Sequence, residues 1–232
     1  MKFYKSIIIL FLLFSYSVNC QNSEIGVLAG SSYYIGELNP SVQIMNKVRP
    51  ALGVFYRKNL SKRYALRFGI NYAMLSATDK FSSNELSQFR QLSFSTNLWE
   101  GYGILEFNFI PYQINNYATS KFTPYVFIGV AGFWVSPNVD GGGNREVAKA
   151  DVIAPSMPFG LGVKLNFVRN LGLGLEWGMR KTFTDQIDGL SEKYVSGYQL
   201  SNTQNNDWYS IIGITLNYKI LTKTDHCPGV IN

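Results

Sequence analysis

Along much of this chain the side chains alternate with a period of two, and the two faces differ in kind. Leu171, Leu173, Leu175, Trp177 and Met179 share one parity, while Gly172, Gly174, Glu176, Gly178 and Arg180 share the other. Just before them, Met157, Phe159, Leu161, Val163, Leu165 and Phe167 oppose Pro158, Gly160, Gly162, Lys164 and Asn166. Tyr64, Leu66, Phe68, Ile70, Tyr72 and Met74 oppose Ala65, Arg67, Gly69, Asn71 and Ala73. Ile212, Ile214, Leu216 and Tyr218 oppose Gly213, Thr215, Asn217 and Lys219. Alternation of this length marks β-strands with unlike faces.

The glycine-rich face decides which way the strands point. On a water-soluble barrel the non-apolar face meets solvent and carries Lys, Glu and Thr. Glycine weakens an exposed strand and has no purpose there. An eight-stranded barrel, however, has an interior only wide enough for side chains. Small residues inside it leave room for large charged ones. The glycine-and-charge face therefore points inward, and the apolar face points out toward lipid.

Eight strands are expected, near 23–35, 50–60, 64–76, 92–110, 122–136, 156–168, 170–182 and 207–220. The fifth alternates poorly and is included for its β-branched and aromatic content. Ser61–Arg63 and Val168–Asn170 are tight turns and Pro111–Lys121 is moderate, whereas 36–49, 77–91, 137–155 and 184–206 are longer and rich in Asn, Ser, Asp and Gly. Short and long links in turn are the order of an up-and-down barrel with short periplasmic turns and long outer loops. Greek-key sandwiches do not alternate this regularly. The expected fold is all-β, an eight-stranded antiparallel transmembrane β-barrel of the outer-membrane type. Aromatics near the strand ends (Tyr33, Tyr34, Tyr56, Tyr64, Trp99, Phe109, Tyr112, Phe122, Trp134, Trp208 and Tyr218) are expected to form interfacial girdles.

Composition excludes the alternatives. Of 232 residues, 46% are hydrophobic, 15% aromatic and 16% charged, against about 25% charged in an average soluble domain. So many apolar groups would collapse, which excludes disorder. The longest apolar run, Ile7 to Phe14, is too short for a spanning helix, which needs about 20 residues. The formal charge of +6 comes from scattered Lys and Arg and forms no nucleic-acid footprint.

Residues 1–20 read as an export signal, with Lys2 and Lys5 before the apolar run and a small, polar region up to Cys20. A lipoprotein would instead keep Cys20 as an acylated terminus, but Asn19 suits that processing poorly. Residues 21–220 then form the barrel, and 221–232 a periplasmic tail. Cys227 in that tail is the one cysteine left after cleavage, a candidate for an intermolecular disulfide or an incidental thiol.

The chemistry of an enzyme is missing from the strands. The single His226 lies in the tail beside Cys227, so no Ser/His/Asp or Cys/His arrangement can be built and no metal-ligand pair of His exists. Gly141–Gly143 lacks the Lys of a phosphate-binding loop. The chain reads as non-enzymatic, without cofactor or small-molecule substrate. Arg57, Arg67, Glu100, Glu106, Lys164, Glu176, Arg180 and Lys219 are expected to face inward, where bare charges would cost several kcal/mol each and must pair. Such a salt-bridged plug closes the barrel rather than opening a path.

Particular residues carry a family likeness. Glu24–Val27, Ser32–Pro40, Leu105–Tyr112, Phe122–Phe127, Met157–Gly162 and above all Leu175–Asp185 resemble the PorG-like outer-membrane barrels of the type IX secretion and gliding system. The resemblance implies an outer-membrane component of a protein-export machine that associates with a periplasmic lipoprotein ring through its periplasmic turns and tail. The partners would be outer-membrane lipids, that ring lipoprotein and other secretion proteins. The competing reading is a small barrel adhesin or ligand-binding protein that acts through its outer loops.

Overall fold

The computed structural model describes residues 23–35, 48–78, 93–112, 121–140, 151–168, 170–184 and 207–220. They form eight strands: β1 (Ser23–Ile35), β2 (Arg49–Asn59), β3 (Tyr64–Thr78), β4 (Ser93–Asn108), β5 (Phe122–Asp140), β6 (Val152–Val168), β7 (Leu171–Thr182) and β8 (Trp208–Ile220). Each pairs antiparallel with its sequence neighbours. The ring closes between β1 and β8, in register from Ser23↔Ile220 to Ile35↔Trp208. Closure leaves no edge strand, so every ladder has a partner on both sides.

Local chemistry sets the turns at the short-link end. Between β2 and β3, Ser61 Oγ accepts from the amides of Arg63 (3.2 Å) and Tyr64 (3.0 Å), and the Leu60 amide donates to the Tyr64 carbonyl at 2.9 Å. Between β6 and β7 the register shifts at Asn166/Val168. The ordered β5 extends four residues past its expected end at 136, and β6 begins four before its expected start at 156.

The poor alternation of β5 has a physical cause. Its faces are sorted, with Tyr125, Phe127, Phe133 and Val135 buried inside and Val126, Ile128, Val130 and Trp134 exposed outside. Both sets are apolar, so a period of two in direction leaves no period in hydropathy. The inward glycines also do more than make room for charge. A side chain on Gly26, Gly160 or Gly162 would collide with the inward rings of Phe55, Phe127 and Tyr125 respectively. The bare backbone of one strand seats aromatics reaching over from others.

Two apolar clusters occupy the lumen. Phe55, Tyr102, Ile104, Tyr125, Phe127 and Ala131 form one. The other gathers residues from every strand but β7, among them Leu28, Tyr34, Leu75, Leu98, Phe133, Val135, Tyr209 and Ile211.

Candidate functional site: a charged lumen inside an apolar shell

Alternation in the strands carries Glu24, Arg57, Arg67, Glu106, Lys164 and Glu176 to the inner face toward the short-link end. All are buried. Glu106 on β4 is the hub, 2.9 Å from Arg57 Nε, 2.8 Å from Arg67 Nε and 2.5 Å from Lys164 Nζ. Arg57 also reaches Glu24 at 2.9 Å, and Arg67 reaches Glu176 at 2.6 Å. Arg57 and Arg67 are direct cross-strand partners. Like charges placed so repel, and the shared carboxylate of Glu106 offsets it. Polar neighbours complete the network: Asn59 donates to Glu24, Lys164 to Asn108 at 2.9 Å, and Tyr125 to Glu176 at 2.6 Å. Arg67 also lies 5.1–5.8 Å from the ring centroids of Phe55, Tyr102 and Phe127, at the border between the charged layer and the apolar one.

A second, smaller group lies deeper. Arg180 on β7 donates from Nε to Glu100 at 3.2 Å. Glu100 also accepts from Asn71 at 2.7 Å and Tyr209 at 2.5 Å. Phe133 is the register partner of Glu100 and Tyr209 that of Arg180, so this pair lies against the apolar cluster that both rings join.

Seven of the eight charges named from the sequence thus fall into two ion-pair groups. The eighth, Lys219, is inward, buried and the register partner of Glu24. Sequence reasoning missed Glu24, although its parity with Gly26 and Gly30 marks it as inward. It also missed Asn59, Asn71, Asn108, Tyr125 and Tyr209, which complete the two networks.

Two girdle assignments are corrected. Tyr34 is inward and donates to buried Asp207, because its neighbour Tyr33 takes the outward parity of β1. Tyr112 lies past the end of β4 and is buried at the short-link end, its ring 5.9 Å from Lys164 Nζ. Tyr33 itself is covered, its hydroxyl accepting from Trp177 Nε1. Cys20, Gly141–Gly143, His226 and Cys227 lie outside the described residues. Among the described residues no group of His, Cys, Asp and Glu could hold a metal ion.

The outside has the opposite character. Leu52, Val54, Phe68, Ile70, Ile128, Leu161, Leu175 and Ile214 are each more than half exposed, and Val130 is 73% exposed. Between the levels of Lys58 and Lys181, no charged side chain among the described residues takes the outward parity. Aromatics flank this belt. Tyr64 and Phe109 each meet Phe107, with ring centroids 5.2 and 5.4 Å apart, at one end, and Tyr72–Trp99 (5.0 Å) and Phe159–Trp208 (6.0 Å) meet at the other.

Charge inside, an unbroken apolar band outside and aromatics at both margins define an up-and-down barrel of the outer-membrane type. The chain belongs to the family described as "Domain of unknown function (DUF6089)", which matches residues 2–229. No curated protein matches it in sequence. Among solved structures, a major outer membrane protein from Thermus thermophilus is similar at 12% identity and a TM-score of 0.48, over 85% of this chain and 99% of that one. Ail, the attachment invasion locus protein of Yersinia pestis, gives 10% and 0.45 over 86% and 98%. The N-terminal β-barrel domain of Pseudomonas aeruginosa OprF gives 12% and 0.43 over 84% and 97%. Likeness at this level says nothing about what the chain does.

Proposed function

We propose that this protein sits in the outer membrane as a closed, non-conducting anchor. The observation that carries this is the uncharged, largely exposed apolar band around a barrel whose charges are paired inside. Exposing that band to water would forfeit about 25 cal/mol per Å² of apolar surface, whereas lipid removes the penalty. The filled lumen supports a plug rather than a channel. The export signal read in residues 1–20 fits the same destination. Carbonate extraction followed by gel migration with and without boiling tests it. A membrane-retained, heat-modifiable band supports the reading, and recovery in the soluble periplasm overturns it.

The finer reading is a non-enzymatic part of the type IX secretion machinery that docks its periplasmic lipoprotein ring. Its support is the likeness to PorG-like barrels, strongest along Leu175–Asp185, which covers most of β7 and the residues after it. Docking would use the short links and the tail, and Cys227 offers a place for an intermolecular disulfide. Affinity capture from detergent-solubilised outer membrane, with partners identified, tests this. Recovery of the ring lipoprotein supports it, and capture of the barrel alone with normal secretion in a deletion strain contradicts it. Non-reducing gels with Cys227→Ser as control decide the disulfide.

A further inference from the structure

The two rims of the barrel differ in charge. The links at the short-turn end, 60–63, 109–121 and 169–170, contain no Asp or Glu, whereas acids and bases mix in the four links at the opposite end. At the short-turn end Lys58, Lys62, Arg63 and Lys121 are exposed, and none of them forms an ion pair among the described residues. Each stands near an outward aromatic in sequence: Lys58 two residues from Tyr56, Lys62 two residues from Tyr64, Arg63 next to Tyr64, Lys121 next to Phe122. Arg63 is steadied by donating from Nη1 to the Phe109 carbonyl at 2.7 Å.

Below this rim a shallow apolar groove of about 740 Å³ runs across the outer face from β7 and β8 over β1 and β2 to β3. Ile25, Val54, Tyr56, Phe68, Leu216 and Tyr218 line it. Lys58 takes the outward parity of β2, about 7 Å beyond Tyr56 at a rise of about 3.3 Å per residue. Beside it the Ser23 and Tyr56 hydroxyls share a hydrogen bond of 2.7 Å. A cation and two hydroxyls thus stand where the groove meets the membrane surface.

We propose that this rim binds anionic phospholipid of the periplasmic leaflet, the phosphate on the rim cations with Lys58 foremost and the acyl chains in the groove. The inference rests on the membrane reading above. A cationic band at aromatic-girdle depth complements lipid phosphate, and juxtamembrane Lys and Arg act on anionic leaflets in this way. An acidic protein surface would not require the adjoining groove or the aromatics that flank each cation.

The test compares the full-length protein with K58Q/K62Q/R63Q/K121Q in bilayers of phosphatidylcholine containing one-fifth phosphatidylglycerol. Lipid that stays bound after gentle detergent extraction is counted by native mass spectrometry. The wild type should retain phosphatidylglycerol several-fold above the mixing ratio, and both the variant and 0.5 M salt should bring it back to that ratio. Val54→Trp fills the groove, leaves every rim cation in place and should lower the amount retained. Retention at the mixing ratio by the wild type, or no change in the quadruple variant, overturns the proposal while heat-modifiable migration still upholds the membrane barrel. A wild type that inserts into no bilayer overturns both. Loss of secretion in the quadruple variant without any lipid preference in the wild type would assign the rim to an acidic protein instead, and overturn the lipid site.

Discussion

The short-turn half of the lumen and its other half solve one packing problem with different materials. Toward the short turns, three carboxylates (Glu24, Glu106 and Glu176) interleave with Arg57, Arg67 and Lys164, so no cation there depends on a partner that is not itself held by others. In the other half, Leu75, Leu98, Phe133, Val135 and Ile211 fill the space, and one pair, Glu100 with Arg180, is set among them. A network shares the desolvation of its charges over many contacts. An isolated pair must rely on good geometry and a few polar helpers. The first half should therefore fail as a unit, and the second should tolerate having its charges removed together.

The largest effect is expected at the hub. Glu106→Ala leaves three buried cations without their common carboxylate and should cost about 5 kcal/mol or more, at the top of the range for breaking buried pairs. Urea titration of the barrel in lipid vesicles, read by heat-modifiable migration, measures it, and Glu106→Gln should recover only part of the loss. Arg180→Ala strands Glu100 and should cost about 3 kcal/mol. The double variant Glu100→Gln/Arg180→Met keeps an acceptor for Asn71 and Tyr209 and should be more stable than Arg180→Ala. If it is less stable, the contrast between the halves breaks. On the outside, Ile214→Lys places a charge in the apolar band and should cost about 2–3 kcal/mol in a bilayer. Lys58→Gln, on the exposed rim, should shift stability by less than about 0.5 kcal/mol, although it lies on the same strand as Arg57.

The same contrast explains what could be read from the sequence. Where one parity held charge or glycine and the other held large apolar groups, as in β3, β6, β7 and β8, strand, direction and inward charges were all legible. Glu176 and Arg180 needed only parity with their neighbouring glycines. The apolar half of the lumen gave no such signal. In β5 the inward Phe127 and Phe133 and the outward Ile128 and Trp134 are chemically alike, and only closure of the ring sorts them. Tyr125 and Tyr209 were illegible for a related reason, since a tyrosine serves equally as a girdle ring or as a buried donor to a carboxylate. Which acid meets which base depends on register across strands distant in sequence. That is why Glu106 as the hub, 39 and 58 residues from Arg67 and Lys164, emerges only from the folded barrel.

All four tryptophans, Trp99, Trp134, Trp177 and Trp208, take the outward parity of their strands, and none lies in the lumen clusters. Quenching of their fluorescence by phospholipids brominated along the acyl chain therefore tests the inside-out arrangement directly. The protein reconstituted in brominated vesicles should lose most of its emission relative to unbrominated ones, while aqueous iodide has little effect. Emission untouched by bromine and quenched by iodide would place the apolar face in water and contradict the account.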